Sequence, residues 1–390
     1  MNIIDYCLWR GDLSFKADPF NYVDNLLLTQ LAYSSFDRYL KNNEIKTVKE
    51  LAQEFFADSE HIKMLESKSF ISDTPYALKA MGQTKRFGNC KVYNYVSILH
   101  PETTEQFAAL MIDLGDNTTA VVFRGTDDTL VGWHEDLLLS YTLMPAQIDA
   151  VNYVNKNCKA FHKYRLLGHS KGGNLALYSA INCDKRVQNR IIQVISNDGP
   201  GLRPETYNED TFNKFSNRYI KIVPEYDLFG VIYDNAKNKI VVKSSQKEFL
   251  QHSGMTWQVI GNQFETVKDI NYVSKLYKQG FDKFMQDTSN EQRSTLIKEL
   301  FNYLDKAGIN NISDFAKGGI PLLVKALKGI IEINPEAKET LGKLIKVFVD
   351  AQEDLINKSI SESKDYVKNK ASKVTNNIET ILSDRIKAKK

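Results

Sequence analysis

Apolar residues recur along this chain in three regimes. Up to about residue 85 the spacing is helical: Val23, Leu27, Gln30, Leu31 and Phe36 fall on one helix face, and "TVKELAQEFF" predicts a second helix behind a Thr cap. From Cys90 the period shortens. "KVYNYVSI", "FAALMIDL" and "TAVVFRG" are short apolar or alternating runs separated by turn-forming residues, as in an antiparallel meander. "YRLLG", "IIQVIS" and "YIKIV" then read as buried strands, and "GNLALYSAINC" after the first of them reads as a helix. Strands alternating with helices predict a largely parallel sheet covered on both faces. From about residue 286 helical spacing returns at Leu296, Leu300, Phe301 and Leu304 and again at Leu341, Leu344, Ile345 and Phe348. The expected organisation is a mostly helical N-terminal segment over 1–85, an α/β unit over 86–285 and a C-terminal helical unit over 286–390, with a polar tail from about 358.

Composition narrows the function classes. With 390 residues, 42% hydrophobic and 25% charged, the chain is long enough for more than one structural unit and has the make-up of a soluble globular protein. A net charge of +3 gives no argument for a nucleic-acid partner. Cys7, Cys90, Cys158 and Cys183 have neither metal-ligand spacing nor disulfide-scaffold density, so buried free thiols are expected. Asp5 and Arg10 interrupt any signal-peptide core, which makes the cytoplasm the expected compartment, and no apolar run is long enough to span a membrane. The most apolar stretch, "GIPLLVKALKGIIEI" from Gly319, is broken by Lys325, Lys328 and Glu332 and could serve as a peripheral membrane contact or simply pack on the α/β unit.

The candidate chemistry gathers around Gly168-His169-Ser170-Lys171-Gly172, a G-x-S-x-G match followed by Gly173. A strand running straight into a helix, with a serine at the apex, forces strained backbone angles there and leaves no room for side chains two residues to either side. A serine hydroxyl needs a base to take its proton, and His252 in "FLQHSGMTW" is the one histidine of the six that follows Ser170. An acid should lie between them, just past a strand end. Asp227, after "YIKIVPEY", is favoured because the acid usually follows the later strand; Asp198 in "NDGPG" is the alternative, more often a turn former, and Glu225 stands third. Oxyanion donors are expected at the backbone N–H of Lys171 and at Thr126, where "VVFRGT" leaves a strand.

Together these residues resemble the class 3 lipases of the α/β-hydrolase fold, over roughly 90–270. The matching pieces are "VVFRGT", the Gly-Trp and Asp-Leu of "VGWHEDLLL", "LLGHSKGGNLA", "NDGPGL", "IVPEYDLFG" and "QHSGMTW", in the family's order. The chain is also similar to uncharacterised bacterial hydrolase-fold proteins with the same "GHSKGGNLA" elbow. The resemblance implies Ser170 as nucleophile, Asp227 as acid, His252 as base, and oxyanion donors at Thr126 and Lys171. It further implies a lid after the oxyanion turn: Leu130, Trp133, Leu137 and Tyr141 lie on one helix face, though such a stripe can equally pack on the core. Lys171 departs from the apolar residue usual after the nucleophile; a cation at the acyl pocket would suit an anionic substrate. The expected activity is hydrolysis of a small-molecule or lipid carboxylic ester through an acyl-enzyme, with no cofactor or metal. A catalytically idle hydrolase-fold module that binds a lipid or a protein is the alternative.

Overall fold

The computed structural model describes residues 1–41, 44–66, 72–127, 129–159, 161–306 and 336–343. Eleven strands are present among them: β1 (Ile45–Thr47), β2 (Lys91–His100), β3 (Glu105–Asp113), β4 (Thr118–Phe123), β5 (Lys163–His169), β6 (Ile191–Asn197), β7 (Tyr219–Pro224), β8 (Lys239–Val242), β9 (Val259–Ile260), β10 (Gln263–Phe264) and β11 (Thr266–Val267). Nine of them form one sheet in the order β1-β2-β3-β4-β5-β6-β7-β8-β11, and β9 and β10 make a separate hairpin. β1 to β4 pair antiparallel, β4 to β8 pair parallel, and β11 closes the far edge antiparallel. The meander expected from "KVYNYVSI" onward is therefore β2-β3-β4. The parallel strands begin where the alternating pattern gives way to continuous apolar runs, because a strand covered on both faces needs apolar side chains on both.

Side chains alternate across the sheet between two cores. Leu110, Ile112, Val122, Leu167 and Ile195 point toward the N-terminal helices, while Met111, Val121, Phe123, Leu166 and Val194 face the helices Pro145–Asn157 and Lys171–Asn182. Each such fully buried Leu, Ile or Val contributes roughly 1.5–3 kcal/mol. The chain is thus an α/β protein built on a large mixed sheet with helices on both faces.

The helix Tyr22–Leu31 is buried on nearly every side, although it carries Asp24, Asn25, Thr29 and Gln30. It lies against β4 and β5, which makes the N-terminal segment a layer of the same core and not a unit apart. Asp24 is satisfied from within that layer. Arg86 donates to both oxygens of Asp24, Nε at 2.8 Å and Nη2 at 2.5 Å, across the boundary expected at 85/86. At the other end, the helix Tyr272–Asp287 runs through the boundary expected at 285, and a second helix follows over Asn290–Lys306. Residues 336–343 are helical and pack Ala337 and Leu341 on Leu296. The stretch from Gly319 and the tail from 358 lie outside the described residues. Among the described residues no helix is long and apolar enough to cross a membrane, and all four cysteines are buried and free.

Candidate active site

Ser170 stands at the C-terminal end of β5, with the elbow helix Lys171–Asn182 starting at the next residue. Its backbone is at φ +56°, ψ −131°, a conformation that costs a non-glycine residue on the order of 1–3 kcal/mol and persists only when its surroundings enforce it. The surroundings here are the glycines. A Cβ on Gly168 would sit 2.0 Å from the carbonyl of Gly172, and one on Gly172 would sit 2.2 Å from Phe123 O at the end of β4. Strand, turn and helix are therefore in backbone contact, and the side chain at the apex is the one that projects.

The acid side of the site differs from expectation. Nδ1 of His252 lies 2.6 Å from Oδ2 of Asp198, with both side chains almost wholly buried. Asp198 directly follows β6, the immediate neighbour of β5, and Ser170 N donates to Asn197 O at 2.9 Å, so its carboxylate is delivered beside the elbow. Asp198 also takes up positive φ, +50°, and its Oδ1 accepts from Gly230 N at 3.2 Å. Asp227 follows β7, one strand further out. Its Oδ1 accepts from Val231 N at 3.1 Å and its carboxyl hydrogen-bonds to that of Asp198, and its charge also acts on the His252 ring, whereas the hydrogen bond to Nδ1 comes from Asp198. The assignment of Asp227 as partner of His252 is corrected accordingly: the turn former is the residue on the ring, because adjacency to β5 decides reach.

Burial dominates the electrostatics here. It pushes Asp198 up to about 7 and Asp227 well above the usual carboxylate range, the latter helped by the neighbouring Asp198, while it holds His252 down at about 4. The His252 ring is wedged between the ring of Phe229, 4.1 Å away, and that of His169, 4.8 Å away.

The turn after β4 reaches the same place. A Cβ on Gly125 would fall 3.1 Å from Ser170 Cβ and 2.5 Å from His169 O, so Thr126 is carried to the elbow as expected. The Thr126 hydroxyl donates to Asp136 Oδ2 at 2.5 Å. Lys171 departs from expectation. Its ammonium does not enter an acyl pocket; it is buried and donates to Glu135 Oε2 at 2.7 Å, Gln106 O at 2.8 Å and Gln106 Oε1 at 2.9 Å. An anionic substrate gains nothing from this lysine, whose charge is neutralised inside the protein by Glu135.

Glu135 belongs to the helix Leu130–Leu138, expected as a lid. Gly132, Glu135 and Leu138 are its buried face, and Leu130 and Trp133 are half-buried with Leu137 37% exposed. Of the apolar stripe, Tyr141 packs against the second core, whereas Leu130, Trp133 and Leu137 stay at its margin. The helix is not loosely held: Glu135 also accepts from Gln106 N at 3.1 Å and Ala146 N at 2.9 Å. Lifting it would strip a buried ion pair, at a cost of roughly 3–5 kcal/mol, so it reads as a fixed wall of the site. The Asn290–Lys306 helix leans on this wall, with Phe301 stacked on His134 at 4.1 Å.

Two supports came without a motif. Tyr33 Oη lies 2.9 Å from His169 Nδ1 and accepts from Gly125 N–H, and His169 Nε2 lies 2.8 Å from His252 O. Because a carbonyl only accepts, Nε2 carries the proton and Nδ1 accepts from the tyrosine hydroxyl. One chain of hydrogen bonds thus ties the Gly125 turn to the His252 loop. Asn25 Nδ2 donates to Asn197 Oδ1 at 2.8 Å, fixing the residue before Asp198. Both come from the N-terminal segment, where helical periodicity marks core and says nothing of the site.

The family model described as Mbeg1-like matches residues 81–302, more than half of the chain. A comparison with curated proteins finds no match.

Proposed function

From the premise that the chain belongs to the Mbeg1-like family, whose match takes in Ser170, Asp198 and His252 alike, we propose a serine hydrolase of the α/β-hydrolase fold that cleaves carboxylic esters. The observation that carries this reading is the His252 Nδ1 contact to Asp198 beside a serine in a strained elbow. With Nδ1 directed at the carboxylate, Nε2 is the basic nitrogen, and Asp198 stabilises the imidazolium that forms when the Ser170 proton is taken. Ser170 Oγ attacks the ester carbonyl, and the negative charge on the carbonyl oxygen is met by the backbone N–H groups of Lys171 and Thr126 at the positive end of the elbow helix. The alkoxide leaves with the proton from His252. Water, deprotonated by the same ring, then releases the acid and regenerates Ser170.

Substrate class follows from two side chains. Lys171 is neutralised by Glu135, and the wall beside the elbow presents Leu130 and Trp133, so an uncharged ester with an apolar acyl group fits better than an anionic one. The test is turnover of p-nitrophenyl esters of increasing acyl length. Wild type should show a burst of p-nitrophenol followed by slower turnover, and Ser170→Ala should show neither. A folded wild type that turns over no ester in the series favours the non-catalytic binding module.

A further inference from the structure

Two fully buried carboxyl groups, Asp198 and Asp227, face one another behind His252, and the catalytic cycle just described uses one of them. Both converge on Gly230: a Cβ there would fall 2.8 Å from Asp227 Oδ2 and 2.9 Å from Asp198 Oδ1. Two carboxylates at such range, away from water, do not both ionise; one proton is shared by the pair. The donors around them decide where it sits. Asp198 receives His252 on Oδ2 and Gly230 N–H on Oδ1, so both its oxygens act as acceptors. Asp227 receives Val231 N–H on Oδ1, while among the described residues no ordinary donor faces its buried Oδ2. An oxygen without a donor, beside another carboxylate, is satisfied by carrying a proton and donating it.

Resting on the hydrolase reading above, we propose that Asp227 is a positioning residue: protonated at neutral pH, it donates through Oδ2 to Asp198 and holds that carboxylate ionised and oriented on His252. The charges around the pair agree. Lys221, buried on β7, donates to Gly230 O and to Asp234 Oδ1, and Asp234 is paired in turn with Lys239. The cation of Lys221 thus favours one negative charge on the Asp198–Asp227 pair, and the nearby carboxylate of Asp234 disfavours a second. From the side of the helix Tyr272–Asp287, Ser274 Oγ accepts from Asp227 N at 2.8 Å and brings no charge. The neutral ring of His252 completes the surroundings.

The experiment compares wild type, Asp227→Asn and Asp227→Ala. Asn keeps an N–H to donate to Asp198 and a C=O for Val231; Ala keeps neither. Infrared spectra at neutral pH should contain the C=O stretch of a buried protonated carboxyl in wild type, absent from both variants. Asp227→Ala should lose kcat by about 10- to 100-fold with KM little changed, and the acid limb of its pH profile should move up by about one unit, because Asp198 then binds a proton more readily. Asp227→Asn should rescue most of the rate and return the limb. Equal impairment by Asn and Ala, an Ala variant with full rate and an unmoved limb, or a wild type without the carboxyl band overturns the proposal. Thermal unfolding of each variant separates misfolding from loss of positioning. If wild type turns over no ester, the hydrolase reading fails and the positioning role with it, whereas a hydrolase insensitive to Asp227 sinks this proposal alone.

Discussion

Asp198 Oδ2 and His252 Nδ1 are 2.6 Å apart, and they come from segments 54 residues apart in sequence. The carboxylate fixes which ring nitrogen carries a proton, so an amide in its place can stabilise the wrong tautomer. Asp198→Asn should therefore lower kcat on the order of 10³- to 10⁴-fold with KM much less affected. Steady-state kinetics on a p-nitrophenyl ester check this, and a variant retaining a tenth of the wild-type rate speaks against Asp198 as the acid.

Lys171 and Glu135 form a buried ion pair at 2.7 Å. Removing one partner leaves the other charged and unpaired, so Lys171→Met should destabilise the fold by about 3–5 kcal/mol in urea unfolding. Adding Glu135→Gln removes the stranded charge and keeps an acceptor for one of the two amides, Gln106 N or Ala146 N. The double variant should recover much of the loss. If it is no more stable than Lys171→Met alone, the pair does not act as described.

Tyr33 Oη links Gly125 to His169 from a segment outside the family match. Tyr33→Phe keeps the ring but leaves two buried partners unmade, at about 1–3 kcal/mol each. Chemical denaturation should record the loss, accompanied by a lower kcat as the Gly125 turn loosens. Unchanged stability would mean that the hydroxyl is dispensable.

His169 is enclosed, and burial holds its pKa down to about 3 against the ordinary 6.5. The folded chain binds fewer protons than the unfolded chain across that window, so the stability this ring contributes is fully present above pH 6.5 and is lost as pH falls toward 3. Between about pH 7 and pH 5 the urea midpoint of wild type should fall more steeply than that of His169→Asn, with His252 common to both. Equal slopes would show that His169 is not buried neutral.

The elbow is legible in the sequence because its glycines are demanded by local backbone contact, β2 is legible from its alternation, and β3 to β7 are legible because covered strands must be apolar. The choice between Asp198 and Asp227 is not, since both follow parallel strands and only the lateral order β5-β6-β7 says which carboxylate reaches the ring. The role of Lys171 is hidden for a similar reason: a charged residue beside the elbow serine suggests a ligand, and its partner Glu135 lies 36 positions away on a helix whose apolar stripe is the stronger local signal. Tyr33 and Asn25 sit in a segment whose periodicity signals burial and nothing else.

The most direct measurement is covalent labelling by a fluorophosphonate, which reacts with a serine only when a base has activated it. Intact-mass analysis of wild type, Ser170→Ala and His252→Ala should find one adduct on wild type, none on Ser170→Ala and strongly slowed labelling of His252→Ala. Undiminished labelling of the Ser170→Ala variant, or a folded wild type inert to the probe, would contradict the account.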